Sequence, residues 1–336
     1  MIIKIGILGA GYMGHTHARA YKEIKDAEVV GIADINSDKA ARLAKIYNAK
    51  SYSDPDKLIY REDVDVVDIC LPTPLHHEYV MKAASNGKNI LCEKPIALNL
   101  KQADAMINCA KNLKVKFMVA HTLRFWPEYV EAKQIVDKEI LGKPLEISTT
   151  RLVGTPSWSE NDWILNPEMS LGAALDLNIH DIDFATWILG KPKSIFSRGL
   201  KSFRGAYDHI ISVLDYERGN QAFVEAGWMF PQTFPFTTAF RVLCRRGCID
   251  FNFKVPGTAE RREKAESSFV IYKRTAPPGY GKIVKKDPYG EEIRYFIECV
   301  KDDREPTVVT PEQAKLALRI TLAGLKSIET GRVVKL

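Results

Sequence analysis

Two stretches that lie far apart in the chain carry side chains of types that can take part in proton transfer. In "CEKPIA" (92–97), Lys94 stands before a proline at the end of an apolar run. In "LGAALDLNIHDIDFATWILG" (171–190), Asp176 and His180 are spaced i, i+4, which makes them neighbours if the segment is helical. An imidazole accepts a proton near neutral pH, and an ammonium stabilises negative charge that develops on an oxygen. These residue types are candidates for acid–base chemistry on a small ligand.

The second stretch is predicted to form one helix over residues 171–189. At about 100° per residue, one side of this helix is apolar and consists of Leu175, Ile179, Ile182, Thr186 and Leu189. Another side carries Asp176, His180, Asp183 and Trp187. That polar side is either a solvated surface with a salt bridge or a set of groups that address one small ligand. A solvated face rarely carries tryptophan, yet the pattern by itself leaves both interpretations open.

A glycine-rich loop near the N-terminus has the spacing of a dinucleotide site. "GAGYMG" has the order G-x-G-x-x-G between an apolar strand and a predicted helix, and the residues expected to bind a cofactor are Gly9, Gly11, Tyr12, Met13 and Gly14. Asp34 follows 20 residues after Gly14, where a carboxylate accepts hydrogen bonds from the adenosine ribose. A carboxylate repels a 2′-phosphate, and no arginine follows it directly, so we expect NAD rather than NADP. The alternative is a glycine turn of the same fold without a cofactor.

Several histidines follow strand ends of the predicted sheet, and each of them is a candidate for a catalytic or a cofactor-binding role. His15 and His17 lie in the first helical turn after the loop, where the positive helix end favours neutral imidazoles. Packing or exposure to solvent is favoured over a catalytic role for both. "LPTPLHH" (71–77) ends another strand, near the expected nicotinamide half of the cofactor. The residues expected to line that half are Leu71, Pro72, His76, Glu93 and Lys94.

The elements that must position these groups alternate between strand and helix over the first 120 residues. Apolar runs predict strands at "IIKIGILG", 28–34, 65–72, 89–95 and 116–123. Helical stretches lie between them at 15–24, 37–47, 77–86 and 100–113. This alternation predicts an α/β fold with a doubly wound parallel sheet, the Rossmann architecture, over residues 1–122.

Residues 123–336 are predicted to form a second α/β domain with a large, mostly antiparallel open sheet. A helix over about 127–139 and an extended segment over 145–153 precede the Trp-rich loop "TPSWSENDW". After the helix at 171–189, strands are predicted at 194–203, 207–216, 220–230, 236–244 and 247–254. Residues 255–288 are expected to be a long loop or an irregular hairpin. Two helices, 289–302 and 311–330, close the chain.

Composition excludes several classes of protein. The 336 residues are 46% hydrophobic and 27% charged, with a net charge of +6 spread over mixed signs, which argues against nucleic-acid binding. The six cysteines show no C-x-x-C pair, so neither a disulfide framework nor a zinc site is expected. No apolar stretch is long enough for a membrane span, and no signal peptide is apparent. We therefore expect a cytoplasmic protein that acts on a small molecule.

Taken together, the motifs G-x-G-x-x-G, E-K-P and D-x-x-x-H-x-x-D, in this order, resemble the Gfo/Idh/MocA family, named for glucose–fructose oxidoreductase and inositol dehydrogenase. The likeness extends to "LRFWPEY" (123–129) and "YFIECVKDDREPTV" (295–308), so it covers nearly the whole chain. It implies NAD(P)-linked oxidation or reduction at a hydroxyl of a sugar, cyclitol or related compound. It also implies that the second domain binds substrate and forms a homodimer or homotetramer through its open sheet.

By position, the resemblance implies that Lys94, Asp176 and His180 are the catalytic residues. His180 would accept the hydroxyl proton, and Lys94 would bind the same oxygen as negative charge develops. Asp176 would hold the substrate hydroxyl or orient the base. No metal is needed, since the cofactor and the ammonium supply the electrophilic help.

The chain departs from the family pattern around the expected substrate. Leu71 stands where the family often has threonine, 171–173 read Leu-Gly-Ala in place of a glycine run, and Asn178 replaces a glycine. These changes leave the three catalytic positions intact but alter the substrate surroundings. Further substrate contacts are expected from Arg124, Trp126, Trp158, Trp163 and Asn178, although single residues of these types more often serve packing.

Three functions follow from these observations. The first is a dehydrogenase that transfers a hydride between nicotinamide C4 and a secondary hydroxyl or ketone. The second is a glycoside hydrolase of the same fold that holds NAD tightly and oxidises its substrate only transiently. The third is a non-catalytic NAD-binding regulator, which the presence of all three catalytic groups disfavours.

Overall fold

The computed structural model describes residues 1–157, 159–256, 265–281 and 283–336. The chain folds into two units. The first comprises Met1–Phe125, a short segment that ends at Trp163, and Lys286–Lys315. The second comprises Trp126–Ser157, Ile164–Lys285 and Leu316–Leu336. The sequence placed a single boundary after residue 122, whereas here a segment from near the C-terminus belongs to the first unit.

The first unit is built on six strands that pair in parallel in the order β3-β2-β1-β4-β5-β6. They are β1 (Ile3–Leu8), β2 (Ala27–Ala33), β3 (Lys50–Tyr52), β4 (Val66–Ile69), β5 (Asn89–Glu93) and β6 (Phe117–Ala120). The side chains of β4 and β6 are buried throughout, as the continuous apolar runs predict for a sheet covered on both faces. The strand order reverses between β1 and β4, where such sheets bind ligands.

Eleven α-helices accompany the strands in the described residues. Their bounds are α1 (Tyr12–Lys22), α2 (Ser37–Ile46), α3 (Pro55–Ile59), α4 (Thr73–Ser85), α5 (Leu100–Asn112), α6 (Pro127–Asp137), α7 (Pro167–Ser170), α8 (Ala173–Asp176), α9 (Asn178–Leu189), α10 (Pro288–Lys301) and α11 (Pro311–Thr330). Short 3₁₀ helices span Thr122–Phe125 and Glu160–Leu165. Within the first unit, α10 packs against α1, with Phe296 and Ile297 in the same apolar core as Ile5.

The second unit holds a nine-stranded sheet in the order β14-β13-β12-β11-β7-β10-β9-β8-β15. The strands are β7 (Pro144–Gly154), β8 (Ser194–Lys201), β9 (Tyr207–Asp215), β10 (Gln221–Phe230), β11 (Phe236–Cys244), β12 (Gly247–Val255), β13 (Glu266–Lys273), β14 (Ala276–Tyr280) and β15 (Val334–Lys335). β7 and β10 pair in parallel, and every other pair is antiparallel. The predicted fold class, a parallel Rossmann sheet plus a large, mostly antiparallel sheet, is confirmed.

One segment of the second unit differs from the sequence prediction, and another adopts one of the two predicted alternatives. The helix expected over 171–189 begins only at Ala173, because Leu171 and Gly172 adopt positive φ values of 57° and 72°. The Asp208 carboxylate accepts a hydrogen bond from the Ala173 N–H, which fixes that start. The helical hydrogen bonding is then interrupted at Leu177, between α8 and α9. Within 255–288, the irregular hairpin is present as β13 and β14, with a register shift near its turn.

Candidate active site

Three glycines follow β1, and each is explained by a different physical constraint. Gly9 has a φ of 100°, and a Cβ on it would lie 2.3 Å from the Cys70 carbonyl oxygen. A Cβ on Gly14 would lie 1.9 Å from the Gly9 carbonyl oxygen, so the fold itself requires glycine at both positions. Gly11 has an ordinary φ of −84°, and no atom lies within 4 Å of where its Cβ would be. Neither packing nor conformation requires glycine at position 11, which points to close approach by a ligand.

The N-terminus of α1 is suited to an anionic ligand. Gly11 is its N-cap and provides no side-chain hydrogen bond, and the first turn, which includes Tyr12 and Met13, contains no acidic residue. Amide groups at the start of a helix and the helix dipole favour negative charge, as on a pyrophosphate. The loop and the helix start therefore fit the phosphates of a dinucleotide.

Asp34 follows β2 and joins this strand end to the glycine loop. Its carboxylate accepts hydrogen bonds from the Ala10 N–H and the Asn36 N–H, each at 2.8 Å. The residue is 8% exposed. Each carboxylate oxygen has two lone pairs, so Asp34 can fix the loop and still accept from a ribose hydroxyl. Asn36, which accepts from the Lys39 N–H, caps the helix that follows.

His76 ties together the segments that follow β4 and β5. Its Nδ1 lies 2.8 Å from the carbonyl oxygen of Pro95, and its Nε2 lies 2.8 Å from that of Leu71. Burial lowers the pKa of His76, so the neutral ring donates to one carbonyl at a time. Pro72 is the N-cap of α4. His76 therefore braces two segments that are expected to line the cofactor, and both of its nitrogens face the backbone.

Lys94 directly follows β5 and is half-buried. Its backbone N–H donates to Oε2 of Glu93, at 3.0 Å, and Glu93 is itself 7% exposed. Gly9, Gly11, Gly14, Asp34, Leu71 and Lys94 thus all follow the carboxyl ends of parallel strands in one sheet. This is the edge at which doubly wound sheets bind their ligands.

The two histidines after the glycine loop differ from each other. His15 is exposed, and burial of part of its ring and the Lys39 charge lower its pKa, in line with the expected neutral imidazole. His17 is fully buried. Its Nδ1 lies 2.9 Å from Asp68 Oδ2, and its Nε2 lies 3.2 Å from Glu93 Oε1. Burial alone would lower the pKa of His17, but Asp68 raises it well above the usual range. The prediction of a neutral ring is wrong for His17.

In the second unit, the predicted polar helix side is buried rather than solvated. Asp176 ends α8 and is 9% exposed, and Asp183 on α9 is 1% exposed. His180, in the first turn of α9, is half-buried. Trp187 packs against Phe184, with ring centroids 6.4 Å apart, and the Lys133 ammonium lies 5.8 Å from its ring. The solvated-surface interpretation is therefore wrong for this side of α9.

Asn178 lies between Asp176 and His180 in sequence and is 1% exposed. Within the described part of the chain, neither its side-chain oxygen nor its nitrogen has a hydrogen-bond partner. A buried amide without partners costs free energy, and a ligand hydroxyl would remove that cost. The unpaired amide is thus a physical reason to expect a substrate contact at Asn178.

Arg151 and Asp181 form a buried ion pair that the sequence analysis missed. Arg151 Nε lies 2.6 Å from Asp181 Oδ2, and the Arg151 guanidinium also donates to the Tyr129 hydroxyl at 3.2 Å. Burial raises the pKa of Tyr129 to about 12, so its hydroxyl stays protonated and bonds with Thr238 at 2.8 Å. The pair joins β7 to α9 one residue after His180. A lone arginine on a strand gives no sequence signal for such a pairing.

Of the remaining predicted substrate contacts, two are buried, one is partly exposed and one lies outside the described residues. Arg124 is buried and donates to the Val308 carbonyl and to Gln313, both within the first unit. Trp126 is buried, with its ring 5.4 Å from that of Phe253. For Arg124 and Trp126 this geometry favours packing, which is the commoner role of single residues of these types. Trp163 is partly exposed in a 3₁₀ helix, and Trp158 lies outside the described residues.

Comparison with known proteins decides the family. Residues 3–121 match "Oxidoreductase family, NAD-binding Rossmann fold", and residues 129–250 match "GFO/IDH/MocA C-terminal domain". The inositol 2-dehydrogenase of Rhizobium meliloti is 31% identical to this chain, with both chains covered in full. The chain belongs to the Gfo/Idh/MocA oxidoreductase family. The resemblance inferred from the three motifs is confirmed.

Two further relatives span nearly the whole chain. The myo-inositol 2-dehydrogenase of Thermotoga maritima is 29% identical, covering 99% of this chain and 98% of its own. A crystal structure of a probable dehydrogenase from Thermotoga maritima superposes with a TM-score of 0.82 at 28% identity, covering 99% of this chain and 98% of its own. The chain is therefore an NAD(P)-dependent oxidoreductase of this family. None of the helices among the described residues combines the length and the apolar character that a membrane span requires.

Proposed function

We propose that this Gfo/Idh/MocA protein is an NAD-dependent dehydrogenase acting on a secondary hydroxyl of a sugar, cyclitol or sugar derivative. The observation that carries the proposal is Gly11, whose lack of a side chain serves neither conformation nor packing and leaves room for a pyrophosphate. Bound NAD would supply the hydride acceptor. The relatives named inositol 2-dehydrogenases support a cyclitol or sugar-like substrate.

The residues of this chain would divide the remaining work. His180 would accept the hydroxyl proton during oxidation and return it during reduction. The Lys94 ammonium would hydrogen-bond the same oxygen as negative charge develops on it. Asp176 would hold a substrate hydroxyl or orient the base. These roles are supported by the residue types and by their positions in the family motifs.

Asn178 would recognise a second hydroxyl of the substrate. Its buried amide offers both a donor and an acceptor, which matches a hydroxyl that can accept and donate. Because the family often has glycine at this position, Asn178 would narrow the range of substrates in this chain. Asn178→Gly is expected to raise KM for the preferred substrate more than it lowers kcat.

We propose NAD rather than NADP because of Asp34. Its carboxylate is fixed by two backbone N–H groups at the end of β2, and the negative charge would oppose a 2′-phosphate. Titration of the protein with NADH and NADPH, followed by nicotinamide fluorescence, tests this. Equal affinities would contradict the assignment.

The proposed activity is tested by a screen of cyclitols, sugars and nucleotide sugars with NAD and NADP. The proposal predicts stoichiometric formation of reduced nicotinamide with at least one polyol, and loss of that signal in His180→Ala. Product formation without net reduction of NAD would instead indicate the alternative, a hydrolase with transient oxidation. NAD binding without turnover of any substrate class would indicate a regulator.

We also propose that the protein assembles through its nine-stranded sheet. Apolar side chains stand exposed on this sheet, among them Ile211 at 48%, Leu243 at 42% and Tyr272 at 43%. Leu243 on β11 pairs with Cys248 on β12, and Cys248 pairs with Tyr272 on β13. Leu243 and Tyr272 therefore belong to one row of side chains across three strands. Light scattering at several concentrations tests for a homodimer or homotetramer.

We propose a reducing compartment such as the cytoplasm as the location of the protein. The proposal is supported by the six cysteines, all of which are free thiols.

A further inference from the structure

We propose that His17 is a positioning residue for the reaction: it holds the Glu93 carboxylate and thereby fixes the backbone from which Lys94 extends. His17 lies on α1, Glu93 ends β5, and the two come together inside the first unit. The inference rests on the proposed role of Lys94. His17, which follows the glycine loop, has no part in the proposed cofactor site, and the inference assigns it a function.

The His17 ring lies between the carboxylates of two neighbouring parallel strands. Asp68, on β4, is 2.9 Å from Nδ1, and Glu93, on β5, is 3.2 Å from Nε2. The first contact is a hydrogen bond, while the second is an ion pair too poorly aligned to count as one. Both His17 and Asp68 are fully buried. Two buried carboxylates facing one ring favour the imidazolium, which bears a proton on each nitrogen.

The path from His17 to Lys94 consists of one side chain. Glu93 turns one carboxylate oxygen, Oε1, towards His17 and the other, Oε2, towards the Lys94 N–H at 3.0 Å. The buried Glu93 carboxylate therefore bridges the imidazolium and the backbone of the residue proposed to act on substrate. Without the imidazolium, the buried Glu93 carboxylate would lose the cation that lies 3.2 Å from it, and its position would change.

Other titratable groups also face the His17 ring. Cys70 Sγ, after β4, lies 3.4 Å from Nδ1, and burial raises the pKa of this thiol, so it stays neutral. Tyr21 on α1 is buried, and burial likewise raises its pKa. Glu292 on α10 is fully buried, and burial together with the Glu93 charge raises its pKa well above the usual range. The charged set facing the ring is thus Asp68 and Glu93, with His17 as their cation.

The test compares two substitutions of His17 that differ in reach. His17→Asn places an amide where Nδ1 stands and keeps a donor for Asp68 but not for Glu93. His17→Gln extends the amide towards the Nε2 position and can still donate to Glu93. We expect His17→Asn to lower kcat by up to about 100-fold, with KM and the NADH dissociation constant within about threefold of wild type. His17→Gln should recover a large part of that loss.

A double-mutant cycle identifies Glu93 as the intermediary. Glu93→Gln should lower kcat by a similar factor, and the double variant His17→Asn/Glu93→Gln should be no slower than the slower single variant. Losses that multiply would overturn the proposal. If His17→Asn does not fold, a wild-type kcat in Glu93→Gln would overturn it equally well. His209→Asn is the matched control, since His209 is also a histidine beside a glutamate, Glu225, at 3.5 Å, and should keep the wild-type kcat.

A measurement that needs neither substrate nor cofactor completes the test. Amide hydrogen exchange of the segment containing Lys94 should be faster in His17→Asn than in wild type or His17→Gln, because the Glu93 acceptor is displaced. Unchanged exchange with unchanged kcat would overturn the proposal. If Lys94→Ala turns over normally, the proposed function fails whatever His17 does. If Lys94→Ala is inactive while His17→Asn has the wild-type kcat, only the positioning inference fails.

Discussion

Each of the two units holds a buried cation beside a residue proposed to act on substrate, and the two cations differ in chemistry. In the first unit, His17 contacts Glu93, which precedes Lys94. In the second unit, Arg151 pairs with Asp181, which follows His180. Both arrangements place a buried ion pair one residue away from the proposed catalytic side chain, and both connect a helix to a strand.

The difference lies in whether the cation can lose its proton. An arginine remains charged at any pH that a protein survives, and burial next to Asp181 does not change that. His17 is charged because the buried Asp68 carboxylate raises its pKa, and a second carboxylate, that of Glu93, also faces the ring. The second unit therefore has a permanent connection between β7 and α9. The connection between α1, β4 and β5 in the first unit depends on pH, and this contrast can be tested.

Removal of the permanent cation should give the largest loss of stability. Arg151→Leu leaves the Asp181 carboxylate buried and without its cation, which typically costs about 3–5 kcal/mol. Urea unfolding followed by fluorescence of the second unit's tryptophans measures the loss. Arg241→Leu is the matched control, because Arg241 pairs with Asp250 on the surface and such pairs contribute about 0–1 kcal/mol. Equal effects of the two substitutions would contradict the role given to Arg151.

Substitutions in the glycine loop should separate cofactor binding from folding within the first unit. Gly11→Ala has space for its methyl group and should keep the wild-type unfolding midpoint, but weaken NADH binding by about tenfold or more. Gly14→Ala forces its Cβ against the Gly9 carbonyl and should lower the midpoint itself. Thermal melts and NADH titrations of both variants measure the two effects. A stable Gly11→Ala variant with wild-type NADH affinity would contradict the proposal that the pyrophosphate approaches Gly11 closely.

The smallest expected effect is the pH dependence that His17 confers. Its folded-state pKa is raised above the unfolded value, so its contribution to stability is complete below about pH 6.5 and is lost as pH rises through the folded pKa. For one proton, the slope cannot exceed about 1.4 kcal/mol per pH unit. Urea unfolding from neutral to alkaline pH measures it. His17→Gln should lack this component, whereas a wild-type slope in that variant would assign the effect to another group.

The sequence predicted the parts of the site that depend on local backbone geometry. The G-x-G-x-x-G spacing, the acid at the end of β2 and the lysine after β5 follow from strand, turn and helix signals that neighbouring residues carry. The parallel sheet then places these residues at one edge. Gly9, Gly11, Gly14, Asp34 and Lys94 are predicted in this way, and all of them follow strand ends in the first unit.

Contacts between residues distant in sequence could not be predicted. In sequence, β2, β3 and β4 lie between His17 and Glu93, and α7 and α8 lie between Arg151 and Asp181. A histidine at a helix start has the same local signal whether it faces solvent or two buried carboxylates. The start of α8 likewise depends on Asp208, which lies on β9 and follows α8 in the chain.

The most direct test of the proposed function is the kinetics of Lys94→Ala with NAD and the best polyol from the substrate screen. We predict that kcat falls by about two to four orders of magnitude while the NADH dissociation constant stays within about threefold of wild type. We also predict an unchanged melting temperature, since the side chain of Lys94 is half-exposed. A variant that turns over at close to the wild-type rate would contradict the account.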